Sequence, residues 1–163
     1  MDALVWQVNW LLEVLIKCCA APAVLLGLEP APDGTRWLEM VKHVRAAGGS
    51  LGVRIDKSLN VDRLLDDVAV ICWCEGVIKG AGGWGNIVES ARAIKAFYAS
   101  DWEIFCLHLR YVRGESRTDD ASDLAKVAAL AGVAPRTVIR KRYLVPRRIA
   151  EDACGGFQRC LGF

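Results

Sequence analysis

The segment that most restricts the fold of this chain is residues 123–142, which read DLAKVAALAGVAPRTVIRKR. Residues 124–130 are rich in alanine and leucine, which favour an α-helix. Gly132 permits the left-handed backbone of a tight turn, and Pro135 suits the first turn of a second helix. The segment therefore predicts two helices joined by a short turn, a helix-turn-helix over about residues 122–145.

The same segment predicts how its two helices pack. Ala128 is small and lies four residues before Gly132, which lets two helices cross closely. The apolar side chains at spacings that fill this crossing are Val127, Val133 and Val138. The second helix is predicted from Pro135 to about Leu144, and Ile139 is predicted to anchor it together with Val138.

The rest of the chain also shows helical rather than strand periodicity. Predicted helices cover Leu4–Ala20, Trp37–Ala47, Val61–Lys79, Asn86–Tyr98 and Ser100–Gly114. Asn60 is the predicted N-cap of the third helix, and Ser100 with Glu103 forms a predicted capping box for the fifth. Strand-like alternation is scarce, so the predicted fold class is all-α. The predicted organisation is an N-terminal helical segment over 1–59, a helical body over 60–150 and a tail over 151–163.

The charge of the chain is unevenly distributed. Residues 107–150 carry ten basic and four acidic side chains, a net charge of +6, although the whole chain is only +2. The remainder is therefore −4. The small net charge of the whole chain excludes a general polycation. The asymmetry predicts that the C-terminal region meets a polyanion while the N-terminal region does not.

Cysteine usage favours a reducing cytoplasm. The chain has seven cysteines, an odd number, and most lie within apolar helical patterns rather than loops. A secreted disulfide framework has the opposite character. Cys72 and Cys74 are only one residue apart, and the histidines, His43 and His108, are isolated. We therefore expect neither a metal site nor a cofactor.

No membrane or export segment is expected. Asp2 is acidic, and the first basic residue is Lys17, which is the wrong charge pattern for a signal peptide. Lys17 and Pro22 interrupt the apolar run over 11–28, which is then too short to cross a membrane.

The glycine cluster Gly80-x-Gly82-x-x-Gly85 matches the letters of a dinucleotide-binding fingerprint. That fingerprint requires a preceding strand within a βαβ unit, whereas the residues before Gly80 are predicted to be helical. We therefore interpret the cluster as an interhelical loop. Trp84 lies in it, and an exposed tryptophan there would indicate a protein contact.

No group of residues typical of catalysis is present, so no enzyme activity is expected. His43 and His108 stand alone. Asp66 and Asp67 are adjacent and therefore point to different faces of a helix.

The second helix of the predicted motif is basic and is the candidate nucleic-acid contact. Arginine makes bidentate contacts to guanine or clamps phosphates, and threonine reaches phosphates or base edges. The predicted DNA contacts are Arg136, Thr137, Arg140, Lys141 and Arg142. The predicted phosphate contacts are Arg113, Arg117, Arg147 and Arg148. A solvated basic face is the alternative, and Lys141 occupies a position that is commonly apolar in such motifs.

Three features together resemble the lambdoid phage antitermination protein Q family. They are the Asp66–Asp67 pair at the start of an apolar helix, the stretch LHLRYVRG at residues 107–114, and Val138-Ile139-Arg140-Lys141-Arg142 in the last helix. The resemblance covers roughly residues 60–150. The chain departs from the family by an insertion at 117–122, and its first 60 residues resemble nothing in the family.

The resemblance implies a function. Members bind double-stranded DNA near a phage late promoter and load onto RNA polymerase that still holds sigma factor. They then travel with the polymerase and suppress termination, acting at the RNA exit channel. It implies a bacterial cytoplasm. Apart from the resemblance, the acidic N-terminal part with its apolar helices is expected to contact polymerase or a second copy. A regulator of initiation and a protein-interaction module with a basic helix remain the alternatives.

Overall fold

The computed structural model describes residues 3–18, 67–111 and 121–155, and this part of the chain is helical throughout, without strands. The predicted all-α class is confirmed for these residues. The helices are α1 Ala3–Cys18, α2 Asp67–Gly80, α3 Trp84–Phe97, α4 Ala99–Tyr111, α5 Ala121–Ala131 and α6 Pro135–Ala153. The predicted helix at 37–47 and the predicted cap Asn60 lie outside the described residues.

The N-termini of α3 and α4 differ from the sequence expectation. Helix α3 begins at Trp84 and not at Asn86. Helix α4 begins at Ala99, so Ser100 lies inside its first turn and does not cap it. The carbonyl oxygen of Tyr98 instead accepts the first hydrogen bond of this helix, from the Trp102 N–H at 2.9 Å.

Helix α6 is longer than predicted because its C-terminal half is buried. It continues to Ala153 through Pro146, which lacks the N–H that a helix interior normally uses. Val145 and Ile149 are completely buried on this half. Burial of two such side chains contributes about 3–6 kcal/mol, enough to offset the roughly 3 kcal/mol cost of an interior proline.

Helix α6 is the centre of the fold, because α1, α3, α4 and α5 all pack against it. Helix α1 also packs against α2, and its buried side chains include Leu11, Leu12 and Leu15. The rings of Trp10 in α1 and Trp73 in α2 meet edge to face, with centroids 4.9 Å apart. The N-terminal helix therefore shares one hydrophobic core with the C-terminal helices.

A second, smaller core joins the N-terminal half of α6 to α4 and α5. Its buried members are Ile104, Leu124, Val127, Ala128 and Val138. The half of α6 that contains Ile149 lies in the main core together with residues of α1, α2 and α3, and α4 contributes to both cores. Among the described helices, none is long and apolar enough to cross a membrane.

Candidate nucleic-acid interface

The turn between α5 and α6 is built as the sequence predicts. Gly132 has φ +64°, in the left-handed region that glycine adopts without a steric penalty. The Val133 N–H donates to the Ala128 carbonyl at 3.0 Å and the Gly132 N–H to the Ala129 carbonyl at 3.3 Å, which is a Schellman closure of the helix. Val133 packs against the small core that contains Ala128.

The predicted packing across this turn is also confirmed for its valines. Val127 and Val138 are fully buried against each other's helices, and Val133 packs against the same cluster. Ile139 was predicted to anchor α6 alongside Val138, and this prediction is wrong. Its side chain is 36% exposed and belongs to neither core, because a helix that buries Val138 turns the next residue by about 100° toward solvent.

The exposed side chains of α6 that follow its first residue, Pro135, form a continuous row, here called the outer face. Its members recur at helical spacing and are Arg136, Ile139, Arg140, Tyr143 and Arg147. The row extends about 16 Å along the helix at 1.5 Å per residue. Among the described residues, Arg136 and Arg140 take part in no ion pair. Arg147 forms an exposed pair with Glu151, with Nε and Oε1 2.8 Å apart.

Two of the predicted DNA contacts lie on the other side of α6. The Nζ atom of Lys141 is 2.5 Å from Oδ1 of Asp101, and Nη1 of Arg148 is 2.5 Å from Oδ2 of the same carboxylate. The guanidinium of Arg148 also stacks 3.7 Å from the ring centroid of Tyr98. Both cations therefore form ion pairs within the fold, and the candidate interface does not include Lys141 or Arg148.

The Asp101 carboxylate ties the first turn of α4 to the middle of α6. Its side chain is 13% exposed, and the side chains of Lys141 and Arg148 are 15% and 23% exposed. Burial raises the pKa of Asp101, but the hydrogen bonds from Lys141 and Arg148 and their positive charges outweigh it. The net result is a pKa of Asp101 below its ordinary value.

The contribution of Asp101 to stability is expected to be lost in acid. A carboxyl group whose pKa is lower in the folded than in the unfolded chain stabilises the fold fully only above its unfolded pKa, about 4. That contribution then falls as the pH drops below about 4 toward the folded pKa. We expect the difference in unfolding free energy between the wild type and Asp101→Asn to be constant from about pH 5 to 7 and to shrink below about pH 4. Urea unfolding at several pH values measures it, and an unchanged difference at about pH 3 would contradict the lowered pKa.

The other predicted contacts divide into three groups. Thr137 is half-buried near the start of α6, and its N–H donates to the carbonyl of Ala134 at 2.8 Å. Arg142 is half-buried with its guanidinium 5.2 Å from the ring centroid of Tyr143. Arg113 and Arg117 lie outside the described residues.

Sequence reasoning missed Asp101 as a partner and Tyr143 as a member of the outer face. A signal for Asp101 was present, because Lys141 and Arg148 are seven residues apart and therefore share one face of a helix. A lysine at a position that faces the core requires an acidic partner. Tyr143 is 47% exposed and lies one turn beyond Ile139 and Arg140.

The remaining candidate features are structural. The loop Ala81–Gly83 joins two helices, so the glycine cluster lacks the strand that a dinucleotide site requires. Trp84 is half-buried and packs against the main core, so it is not an exposed protein contact. Burial, with a smaller effect of Glu75, raises the pKa of the Cys74 thiol to about 12, which keeps this core side chain neutral. No cluster of metal ligands occurs among the residues described.

Comparisons with protein-family models, curated proteins and solved structures find no match to this chain.

Proposed function

We propose that this chain is a DNA-binding transcription regulator of the antitermination type, in which α5, the turn and α6 act as a helix-turn-helix. The observation that carries the proposal is the division of the cations of α6 into two sets. Lys141 and Arg148 both form ion pairs with Asp101 on the inner side. Arg136 and Arg140 remain without an ion-pair partner in the described residues and face solvent together.

The geometry of the outer face suits the major groove of double-stranded DNA. The groove is about 12 Å wide and admits one α-helix. Arg136 and Arg140 lie on adjacent turns of α6, at the end nearest the turn, where base-reading residues of such motifs lie. Arg147, about two turns further on, is the proposed phosphate contact. A half-buried Lys141 fits this assignment, because it occupies the inward position that is commonly apolar and meets Asp101 there.

The antitermination role follows from the resemblance to the protein Q family and goes beyond DNA binding. It assigns RNA polymerase holding sigma factor as the protein partner and a late promoter as the DNA site. The net charge of +6 in residues 107–150 against −4 elsewhere supports a division of labour between a DNA-binding region and the rest of the chain.

Replacing Arg140 with alanine is expected to weaken binding to selected DNA by about 1–3 kcal/mol, because a bidentate contact to guanine is lost. The duplex is obtained by selection from a random pool, and affinity is measured by fluorescence anisotropy over a range of salt concentrations. Wild-type affinity should fall steeply as salt rises. The matched control is Arg92→Ala, an exposed arginine on α3 paired with Glu89, which should bind DNA like the wild type. Equal affinity of Arg140→Ala and wild type would refute the recognition-helix assignment.

Purified transcription separates antitermination from control of initiation. The template carries the late promoter next to the gene in its own genome and a downstream terminator. Increased read-through at constant initiation supports antitermination. A change in initiation alone would favour an activator or repressor. No effect on either, with no salt-dependent DNA binding, would leave the basic helix as a contact for an acidic protein.

A further inference from the structure

The outer face of α6 is not purely cationic. Ile139 lies between Arg136 and Tyr143 on consecutive turns and is followed by Arg140. Ile139 is 36% exposed and belongs to neither hydrophobic core. The exposed part of its side chain is available to a ligand that also attracts the neighbouring arginines.

The charge around Ile139 restricts the chemistry of that ligand. A protein partner that covered an apolar side chain here would have to pair or desolvate Arg136 and Arg140. Duplex DNA satisfies both requirements, because phosphates and guanine edges accept from arginine while the C5-methyl group of thymine offers an apolar contact in the same groove. The ring of Tyr143 already faces the guanidinium of Arg142, which leaves Ile139 as the aliphatic group of this row.

We propose that Ile139 determines specificity by contacting the C5-methyl group of a pyrimidine in the major groove, beside the groups bound by Arg136 and Arg140. The proposal rests on the proposed function, since it requires that α6 enter the groove. Thymine is the ordinary source of this methyl group, and 5-methylcytosine presents the same group at the same place. The contact removes apolar surface of both partners from water.

The test compares binding to duplex DNA with and without the C5-methyl group of thymine. A duplex pool selected by the wild-type protein is amplified with dTTP or with dUTP, which gives the same base pairs without the thymine methyl. We expect the wild type to bind the uracil pool about fourfold more weakly for each methyl group contacted. Ile139→Ala should bind the two pools with equal affinity. Leu130→Ala, which removes an aliphatic side chain that is 60% exposed on α5, should keep the wild-type preference.

A third pool, amplified with 5-methyl-dCTP, distinguishes the two sources of the methyl group. If the wild type binds the uracil pool more weakly and Ile139→Ala does not, Ile139 contacts the methyl group of thymine. If the wild type binds the 5-methylcytosine pool more tightly, Ile139→Ala does not, and the uracil pool shows no weakening, Ile139 contacts the methyl group of 5-methylcytosine. Equal binding of all three pools by the wild type overturns the proposal while leaving the DNA-binding function intact. Failure of the wild type to select any duplex would overturn both.

Discussion

Asp101→Asn is expected to lower the free energy of unfolding by about 2–3 kcal/mol at neutral pH, because it leaves two cations facing each other without a counter-ion. Lys141 and Arg148 are each 2.5 Å from this carboxylate and largely shielded from solvent. Asparagine keeps the size of the side chain and one acceptor oxygen, so the loss reports the charge. Urea unfolding followed by circular dichroism measures it.

Glu103→Gln is the matched control for Asp101→Asn. Glu103 lies two residues further along α4, is exposed, and should change stability by less than about 0.5 kcal/mol. A second variant tests whether the charges are coupled. Adding Lys141→Met to Asp101→Asn removes one of the two unpartnered cations, so the double variant should lose less stability than the sum of the single losses. Strict additivity would contradict the network.

Phe105→Ala is expected to lower the free energy of unfolding by about 3–5 kcal/mol, the largest effect of any substitution considered for this chain. Phe105 is completely buried in the main core, and its ring centroid lies 5.7 Å from that of Trp102. Truncation removes the ring and leaves a cavity between α4 and its neighbours, which the surrounding side chains fill only in part. Since small domains are stable by about 5–15 kcal/mol, thermal unfolding should show a marked fall in the midpoint temperature.

The control for Phe105→Ala is the same substitution eight residues earlier. Phe97 lies at the end of α3 with 61% of its surface exposed, so Phe97→Ala should have an effect of less than about 1 kcal/mol. Similar losses for the two variants would mean that the burial of Phe105 is assigned incorrectly. The pair therefore tests the packing of α4 without reference to any ligand.

These effects bear on function because α4 supports both halves of α6. Phe105 belongs to the main core, and Ile104 belongs to the small core beneath the turn. Asp101, which is also in α4, adds ion pairs to Lys141 and Arg148 of α6. The outer face of α6 is thus fixed from the inner side by α4, and its side chains remain directed to solvent.

The region around the turn was the part of the chain that sequence predicted best. Gly132 takes a left-handed conformation and Pro135 begins α6, because these residues have few alternatives. Val127 and Val138 are buried because their spacing places them on one side of each helix. Such preferences act over a few residues, so they can be recognised without knowledge of the rest of the fold.

Errors arose where contacts distant in sequence compete with local preferences. Pro146 indicates a helix end by local rules, yet α6 continues because Val145 and Ile149 meet side chains from other helices. Serine is a residue type that favours the N-cap position. Ser100 does not take it, because α4 already begins at Ala99 and the Tyr98 carbonyl accepts the first hydrogen bond of the helix. At Pro146 the burial of apolar surface contributes more than the local preference that it overrides.

Local sequence patterns were enough to predict the helices of the described part, the position of the tight turn and the concentration of positive charge near the C-terminus. Which of those charges are available to a ligand depends on how distant helices pack. Arg140 and Lys141 are adjacent in sequence, yet one faces solvent and the other meets Asp101, 40 residues away along the chain. The reason is physical: a helix turns about 100° per residue, so neighbouring side chains meet different surroundings, and these are set by the packing of distant helices.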